Sequence, residues 1–434
     1  MKLASFVTCA AFIITSIGVL GQSYEIAGYV VDQDTEEPIP YASVGVTEQE
    51  RGISTNLNGF FRLLLPEYNP DHLLKISSVG YQGKSIKLSE ISLEQQQRFL
   101  LTPATRMLDE VVVVGKYQTL DDLVRETSKN RKVYLRSTPY LMNGFYNETV
   151  SVDNKYAGIT EAQGIMYLNG YDPRYKNNSN HLTYDLIQWK NIRRSNYPAE
   201  TQQYLEVAAL LKAKDYYLHQ GPLNKSNLNE FEYTVSDTTV YQDRMVLEIL
   251  FEPRQPPADS FNYSGKMLVK EDDQALISLT INSTGPENFL KRNSKHSNIR
   301  SIFKLDFMLF ENQYYLQSAS LSRTYEMNDH RYSWTTELIG ASFTNQQATY
   351  INYAQREVLY SEMLNPKVHY DPKFWADNNL SLNGWYDVVS EDIPDLEKQV
   401  EDNHDLRLVP LPEGFENYQQ IANDRSALEF IMQR

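Results

Sequence analysis

Three long stretches, IRSIFKLDFMLFEN (299–312), YYLQSASLSRTYEMN (314–328) and HRYSWTTELIGASFTN (330–345), alternate apolar with polar residues and are parted only by polar turns. A period of two sends successive side chains to opposite faces of a strand, and turns this short let neighbours pair only antiparallel. The chain must therefore build a meander. Upstream, NGFYNETVSV and YAGITEAQGIMYL flank VDNK, FEYTVSD precedes VYQDRMVLEILFEP, and NYSGKMLVKEDD precedes ALISLTINST, which brings the expected total to about nine strands. One face of such a sheet is apolar and needs a cover. PAETQQYLEVAALLKAKDYYL, with Pro198 near the first turn, is the helical pattern best suited to supply it.

The first residues carry Lys2, an apolar run from Phe6 to Leu20 and small residues before Gln22. That layout is a secretory signal peptide over 1–21, and the run is too short and lacks the flanking cluster of a membrane anchor. The single cysteine, Cys9, lies inside it. The mature chain is then exported without disulfides and held by its core alone. A formal charge of −15 argues against nucleic acid as a partner. The 31 tyrosines suit half-buried strands first and stacking surfaces second.

Between Ile26 and Leu101 the strands are shorter and the turn signals about ten residues apart, the spacing of a small antiparallel sandwich. GISTNLNGFFRLLLP reads there as a hairpin, with Asn58-Gly59 supplying the positive-φ positions. The motifs IAGYVVD (26–32), EPIPYASV (37–44), TNLNGFF (55–61) and SSVGY (77–81) resemble the carboxypeptidase-regulatory-like domain of exported proteins of Bacteroidota. That resemblance implies a seven-stranded transthyretin-like sandwich without peptidase chemistry. It also implies a glycine in the first turn, where this chain has Glu36, so a turn type needing no glycine is expected.

The predicted organisation is a mainly β chain. A seven-stranded antiparallel sandwich (24–103) leads through a linker strand and helix (104–139) to a larger curved antiparallel sheet packed with helices (140–355). A C-terminal extension (356–434) ends in a helix near Asp424–Met432. The linker helix is expected over Asp121–Asn130, with Leu120, Leu123, Val124 and Thr127 on one face. GKMLVKEDDQALISL (265–279) is similar to the periplasmic lipoprotein-carrier superfamily, which implies a half-barrel around an apolar cavity.

No residue pattern announces a reaction. The 7 histidines fall into no close ligand spacing, so no metal is assigned. G-x-S-x-G, Walker and dinucleotide motifs are absent, and no cofactor is expected. Adjacent acids such as Glu271, Asp272 and Asp273 read as a hairpin turn rather than as a catalytic pair. The basic patch NFLKRNSKHSNIR (288–300) reads as a solvated loop. The most site-like cluster is His369, Tyr370, Asp371 and Trp375, either lining a pocket or plugging a sheet edge with their rings.

RMLDEVVVVGKY (106–117) offers a second candidate. In nutrient receptors with a similar sandwich, an L-D-E-V-V-V-x-G stretch is presented to the energy-coupling protein TonB, and Asp109, Glu110, Val111, Val112, Val113 and Val114 would form that partner strand by edge addition. The chain beyond Tyr117 has roughly half the length that a twenty-two-stranded barrel needs at about ten residues per strand plus loops, so a domain-boundary strand is the preferred role. Together these readings give a non-catalytic exported binding or scaffold protein whose second domain holds an apolar ligand or an envelope partner. The alternative is an envelope hydrolase acting on glycan or lipid through His369 and a carboxylate.

Overall fold

The computed structural model describes residues 24–405 except 50, 57, 94, 105–118, 172–184, 200, 202–204, 243, 256–261, 285–296, 311, 345–366 and 378–384. The signal peptide, the DEVVVV segment (Asp109–Val114), most of the basic patch and the terminal helix expected near Asp424 lie outside the described residues.

The N-terminal unit is a two-sheet sandwich of seven strands. β1 (Tyr24–Asp32) lies between β4 (Phe60–Leu65) and β7 (Gln97–Leu101). The second sheet runs β3 (Arg51–Ser54), β2 (Ser43–Val46), β5 (Leu73–Ser77), β6 (Lys84–Lys87). All pairs are antiparallel except β1 with β7, which run parallel. Ile26, Val30, Val44, Phe61, Leu65, Leu74 and Ile76 fill the space between the sheets. Each contributes about 1.5–3 kcal/mol by leaving water.

Two turn expectations change here. β3 and β4 do not form a hairpin, because the chain crosses from one sheet to the other between them. Of Asn58 and Gly59, only Gly59 has positive φ (71°). Asn56 organises it instead, its Oδ1 accepting from the main-chain N–H of Asn58 (3.0 Å) and Phe60 (2.9 Å). A Cβ on Gly59 would meet the Val30 carbonyl at 2.4 Å, so the glycine is required by close approach as well as by φ. The first turn also keeps its left-handed residue: Glu36 sits at φ 59°. Asp32 Oδ1 accepts from Asp34 N (2.7 Å) and Thr35 N (2.9 Å), and this brace holds Glu36 in a conformation that glycine adopts more readily.

The second unit is a ten-stranded antiparallel sheet. Its strands are β8 (Tyr140–Val152), β9 (Lys155–Leu168), β10 (Leu186–Arg194), β11 (Phe231–Tyr241), β12 (Arg244–Pro253), β13 (Asn262–Lys270), β14 (Leu276–Thr284), β15 (Ser297–Phe310), β16 (Gln313–Met327) and β17 (His330–Thr344). The order β10-β9-β8-β17-β16-β15-β14-β13-β12-β11 is two meanders, joined where β17 pairs with β8. The strand beyond the expected nine is β10, LIQWKNIRR, whose three basic residues blur its alternation. The turn at Glu271–Ala275 is the hairpin read from the sequence, with Gln274 at φ 59°.

The sheet rolls. β11 and β15 are four strand spacings apart, about 19 Å if flat. Yet the Leu309 main chain of β15 lies against the Tyr241 hydroxyl of β11. Rolling gives the sheet an inner face, which two helices cover. α1 (Leu120–Tyr134) extends beyond the predicted 121–130 and buries Leu123, Val124 and Thr127, with Thr119 Oγ1 capping it by accepting from Asp122 N (3.2 Å). α2 (Val207–Gln220) starts nine residues after Pro198, not at it. Pro198–Thr201 is instead a turn, with both the N–H and the hydroxyl of Thr201 donating to the Pro198 carbonyl (2.9 and 2.7 Å).

The sandwich docks on the other face of the sheet. Phe145 of β8 and Ala341 of β17 complete the sandwich core. Gln317 Nε2 donates to the Tyr41 carbonyl (2.6 Å) and to Ser54 Oγ (3.0 Å). Gly80 N reaches Val240 O on the edge strand β11 at 2.8 Å. Beyond β17, α3 (Pro372–Asp377), α4 (Trp385–Asp392) and α5 (Leu396–Asp402) pack near the opposite edge. Among the described residues no helix is long and apolar enough to cross a membrane.

Candidate functional site

The inner face is apolar from β9 to β12, with Ala162, Tyr146, Leu338, Leu321, Phe303, Leu279, Met267 and Ile249 all buried. α2 lies on it through Val207, Leu210, Leu211 and Leu218, all buried in the same core. Its Tyr217 ring stands 5.0 Å from Phe303 and 5.8 Å from Tyr263. Helical spacing explains the contact, since residues three and four apart share one side.

Polar groups fix α2 at both ends and at its middle. At the N-terminal end, Glu148 of β8 is fully buried and accepts from Glu206 N (2.8 Å), Tyr197 OH (3.2 Å) and Tyr146 OH. Burial pushes its pKa up, while Arg194, 4.0 Å above the Tyr197 ring, pulls the other way. Glu206 also pairs with Arg323 of β16 (3.2 Å). These carboxylates lie where the helix dipole is positive. At the C-terminal end, the buried Arg131 of α1 donates to the carbonyls of Leu218 and Leu223, and to Ser128 O at 3.1 Å. A cation therefore meets the negative end.

In the middle, Lys214 Nζ lies 2.5 Å from Asp185 Oδ2 and 3.0 Å from Asp215 Oδ1. Asp185 Oδ1 also accepts from Asn169 N (2.8 Å). Burial disfavours the Lys214 ammonium, but the two carboxylates outweigh it and raise its pKa. Burial likewise pushes the Asp215 carboxyl up, against the pull of Lys214.

Sequence reasoning did not single out Glu148, Asp185, Lys214 or Arg131. A signal existed for two of them. Glu148 shares a strand face with Tyr146 and Val150, and Lys214 follows Leu210 and Leu211 on the apolar side of α2. A charge on an apolar face needs a buried partner.

The cluster predicted at 369–375 sits at the β10 edge. Ile192 N of β10 donates to the His369 carbonyl (2.7 Å), so this segment continues the hydrogen bonding of the edge strand. Trp375 is buried under the Arg193 guanidinium, 4.5 Å from its ring centre, and Arg193 is ion-paired with Glu161 of β9. Tyr370 packs against Ile159, Val389, Ile393 and Val400. Asp371 turns to its own helix, Oδ1 accepting from Lys373 N (3.0 Å). The structure thus brings Tyr370 and Trp375 together as a cover for the edge and leaves Asp371 as a helix cap. His369 alone points outward, toward His404 (ring centres 5.9 Å apart) and Asp405.

Comparisons with known proteins agree with part of this. No curated protein matches the chain. Among solved structures, a LolA superfamily protein from Nitrosomonas europaea aligns over 54% of this chain and 99% of its own, at 5% identity and a TM-score of 0.19. Lipovitellin aligns over 50% and 26%, at 6% identity and 0.24, and a 9R-lipoxygenase from Cyanothece over 60% and 39%, at 11% and 0.15. Alignments this loose carry no argument about fold or task. The sandwich is another matter, since the match to its family begins within β1, covers its other six strands and ends at Val113: residues 26–113 are a CarboxypepD_reg-like domain.

Proposed function

We propose that this chain is a non-catalytic, exported binding protein of the bacterial cell envelope, and that the inner face of its large sheet holds an apolar ligand beneath α2. The observation that carries this reading is the way α2 is attached. Its apolar side lies on a continuous apolar sheet face, and the buried polar contacts described above hold it at its ends and at Lys214. Apolar contact is non-directional, so a ligand chain can take the places of Leu210, Leu211 and Tyr217 on the sheet, and the polar cost of lifting α2 falls on Glu148, Arg131 and the Lys214–Asp185 pair. Export rests on the apolar leader at 1–21. The sandwich, docked on the opposite face, serves as the rigid support of the sheet.

The test is photo-crosslinking of the purified mature chain with a diazirine fatty acid, followed by peptide mapping. Adducts are expected on α2 and on strands β14 to β16, around Leu211, Leu279 and Phe303. Adducts confined to the outer surface, or none at saturating probe, overturn the reading.

A further inference from the structure

The C-terminal extension brings three side chains with metal-binding chemistry to one point on the surface. His369 precedes α3, and His404 and Asp405 follow α5. One donor atom from each lies within 4.8 Å of the others, and all three residues are exposed. The grouping has a backbone cause. Asp405 N donates to the Val368 carbonyl (3.0 Å), and Tyr370 N donates to His404 Nδ1 (3.2 Å), so the end of α5 is tied to the segment that continues the β10 edge. The two histidines stand far apart along the chain, which is why sequence spacing did not reveal them.

We propose that His369, His404 and Asp405 bind a divalent transition-metal ion, Zn²⁺ being the ion their donors suit best, and that this ion staples the end of α5 to the edge segment beside β10. Two imidazole nitrogens and a carboxylate oxygen are a borderline-soft set, favouring Zn²⁺ over Mg²⁺ or Ca²⁺, which take oxygen donors. Donor atoms around a tetrahedral Zn²⁺ stand roughly 3.4 Å apart, so the group must contract by up to about 1.4 Å. Exposed side chains can do this by rotation about χ1 and χ2. Three protein ligands leave a fourth position for water.

Two features set the strength of the site. Lys367 Nζ lies 3.0 Å from Asp405 Oδ1, a resident cation that the metal must displace. Both partners are well exposed, so that pair is weakly held. The hydrogen bond from Tyr370 N occupies His404 Nδ1, and metal ligation through Nε2 moves the ring proton to Nδ1 and gives that bond up. The site is therefore weaker than a four-ligand structural zinc centre, and it is sensitive to the charge at position 367.

The experiment is calorimetric titration of the tag-free mature chain with ZnCl2, with MgCl2 as the control, alongside the thermal midpoint with and without zinc. Expected are one Zn²⁺ per chain, a higher midpoint with zinc and no response to magnesium. His369→Ala should weaken binding more than about tenfold, the scale that even loss of an outer-shell partner reaches. Lys367→Gln should tighten it, because it frees Asp405 without touching a ligand, and this gain separates a built site from a fold defect. No zinc binding, binding unchanged in His369→Ala, or binding weakened in Lys367→Gln overturns the proposal.

Discussion

The Tyr41 hydroxyl donates to the Glu337 carboxylate across the seam between the sandwich and the large sheet. Burial drives the Glu337 pKa up to about 7, against the pull of Tyr41 and Lys304, and Asp306 adds to the rise. The folded value lies above the ordinary 4.5, so this group's contribution is fully present below pH 4.5 and is lost as pH rises through 7. The seam should be weaker at pH 8 than at pH 5 by roughly 3 kcal/mol from this group alone. Denaturant titration of the parent chain and of Glu337→Gln at both pH values checks it. The variant should lack that share of the difference, and equal pH dependence in the two proteins would count against the assignment.

Glu36 holds a left-handed conformation that its Cβ disfavours. Glu36→Gly removes that strain and forfeits only the exposed pair with Arg98, 3.3 Å long. A gain of about 0.5–1 kcal/mol is expected, read as a higher denaturant midpoint with an unchanged slope. A loss of stability would show that the Arg98 contact outweighs the backbone.

Lys214 is the counter-ion of two largely buried carboxylates. Lys214→Met keeps the bulk and takes the ammonium away from the buried Asp185 and the largely buried Asp215, so a loss of roughly 3–5 kcal/mol is expected. Adding Asp185→Asn should recover much of it, since the amide oxygen still accepts from Asn169 N and carries no charge. If the second change only adds to the damage, Asp185 has a role beyond balancing Lys214.

How much of this was readable from the sequence depends on the range over which each signal acts. Period-two alternation marked nine of the ten strands, and α1 announced itself through Leu120, Leu123, Val124 and Thr127 on one side, while its cap at Thr119 emerged only in the fold. β10 escaped because Lys190, Arg193 and Arg194 interrupt its alternation. Only the fold supplies their partners: Glu161 and Trp375 for Arg193, and the Tyr197 ring for Arg194. The start of α2 was misplaced because Pro198 is as good a turn opener as a helix opener. What decides between them is Glu148, 58 residues earlier, taking the Glu206 N–H. The His369–His404–Asp405 group was unreadable for the same reason, since two main-chain segments set it and no local spacing does.

Arg131 gives the last prediction, because it closes the C-terminal end of α2. Its guanidinium donates to the carbonyls of Leu218 and Leu223 in a setting that burial makes costly for the charge, lowering its pKa. Arg131→Met preserves length and packing but supplies no donor. Leu223 O keeps the Ser128 hydroxyl (2.6 Å), so Leu218 O is the acceptor that loses its side-chain partner. The expected loss is about 2–3 kcal/mol, and its location is the informative part. The missing bond sits at the end of the helix, so amide exchange should quicken in the last turn of α2 while β14 to β16 keep their protection. Uniform acceleration across the sheet would mean that α2 and the sheet open as one unit, and α2 could not then be lifted separately to admit a ligand.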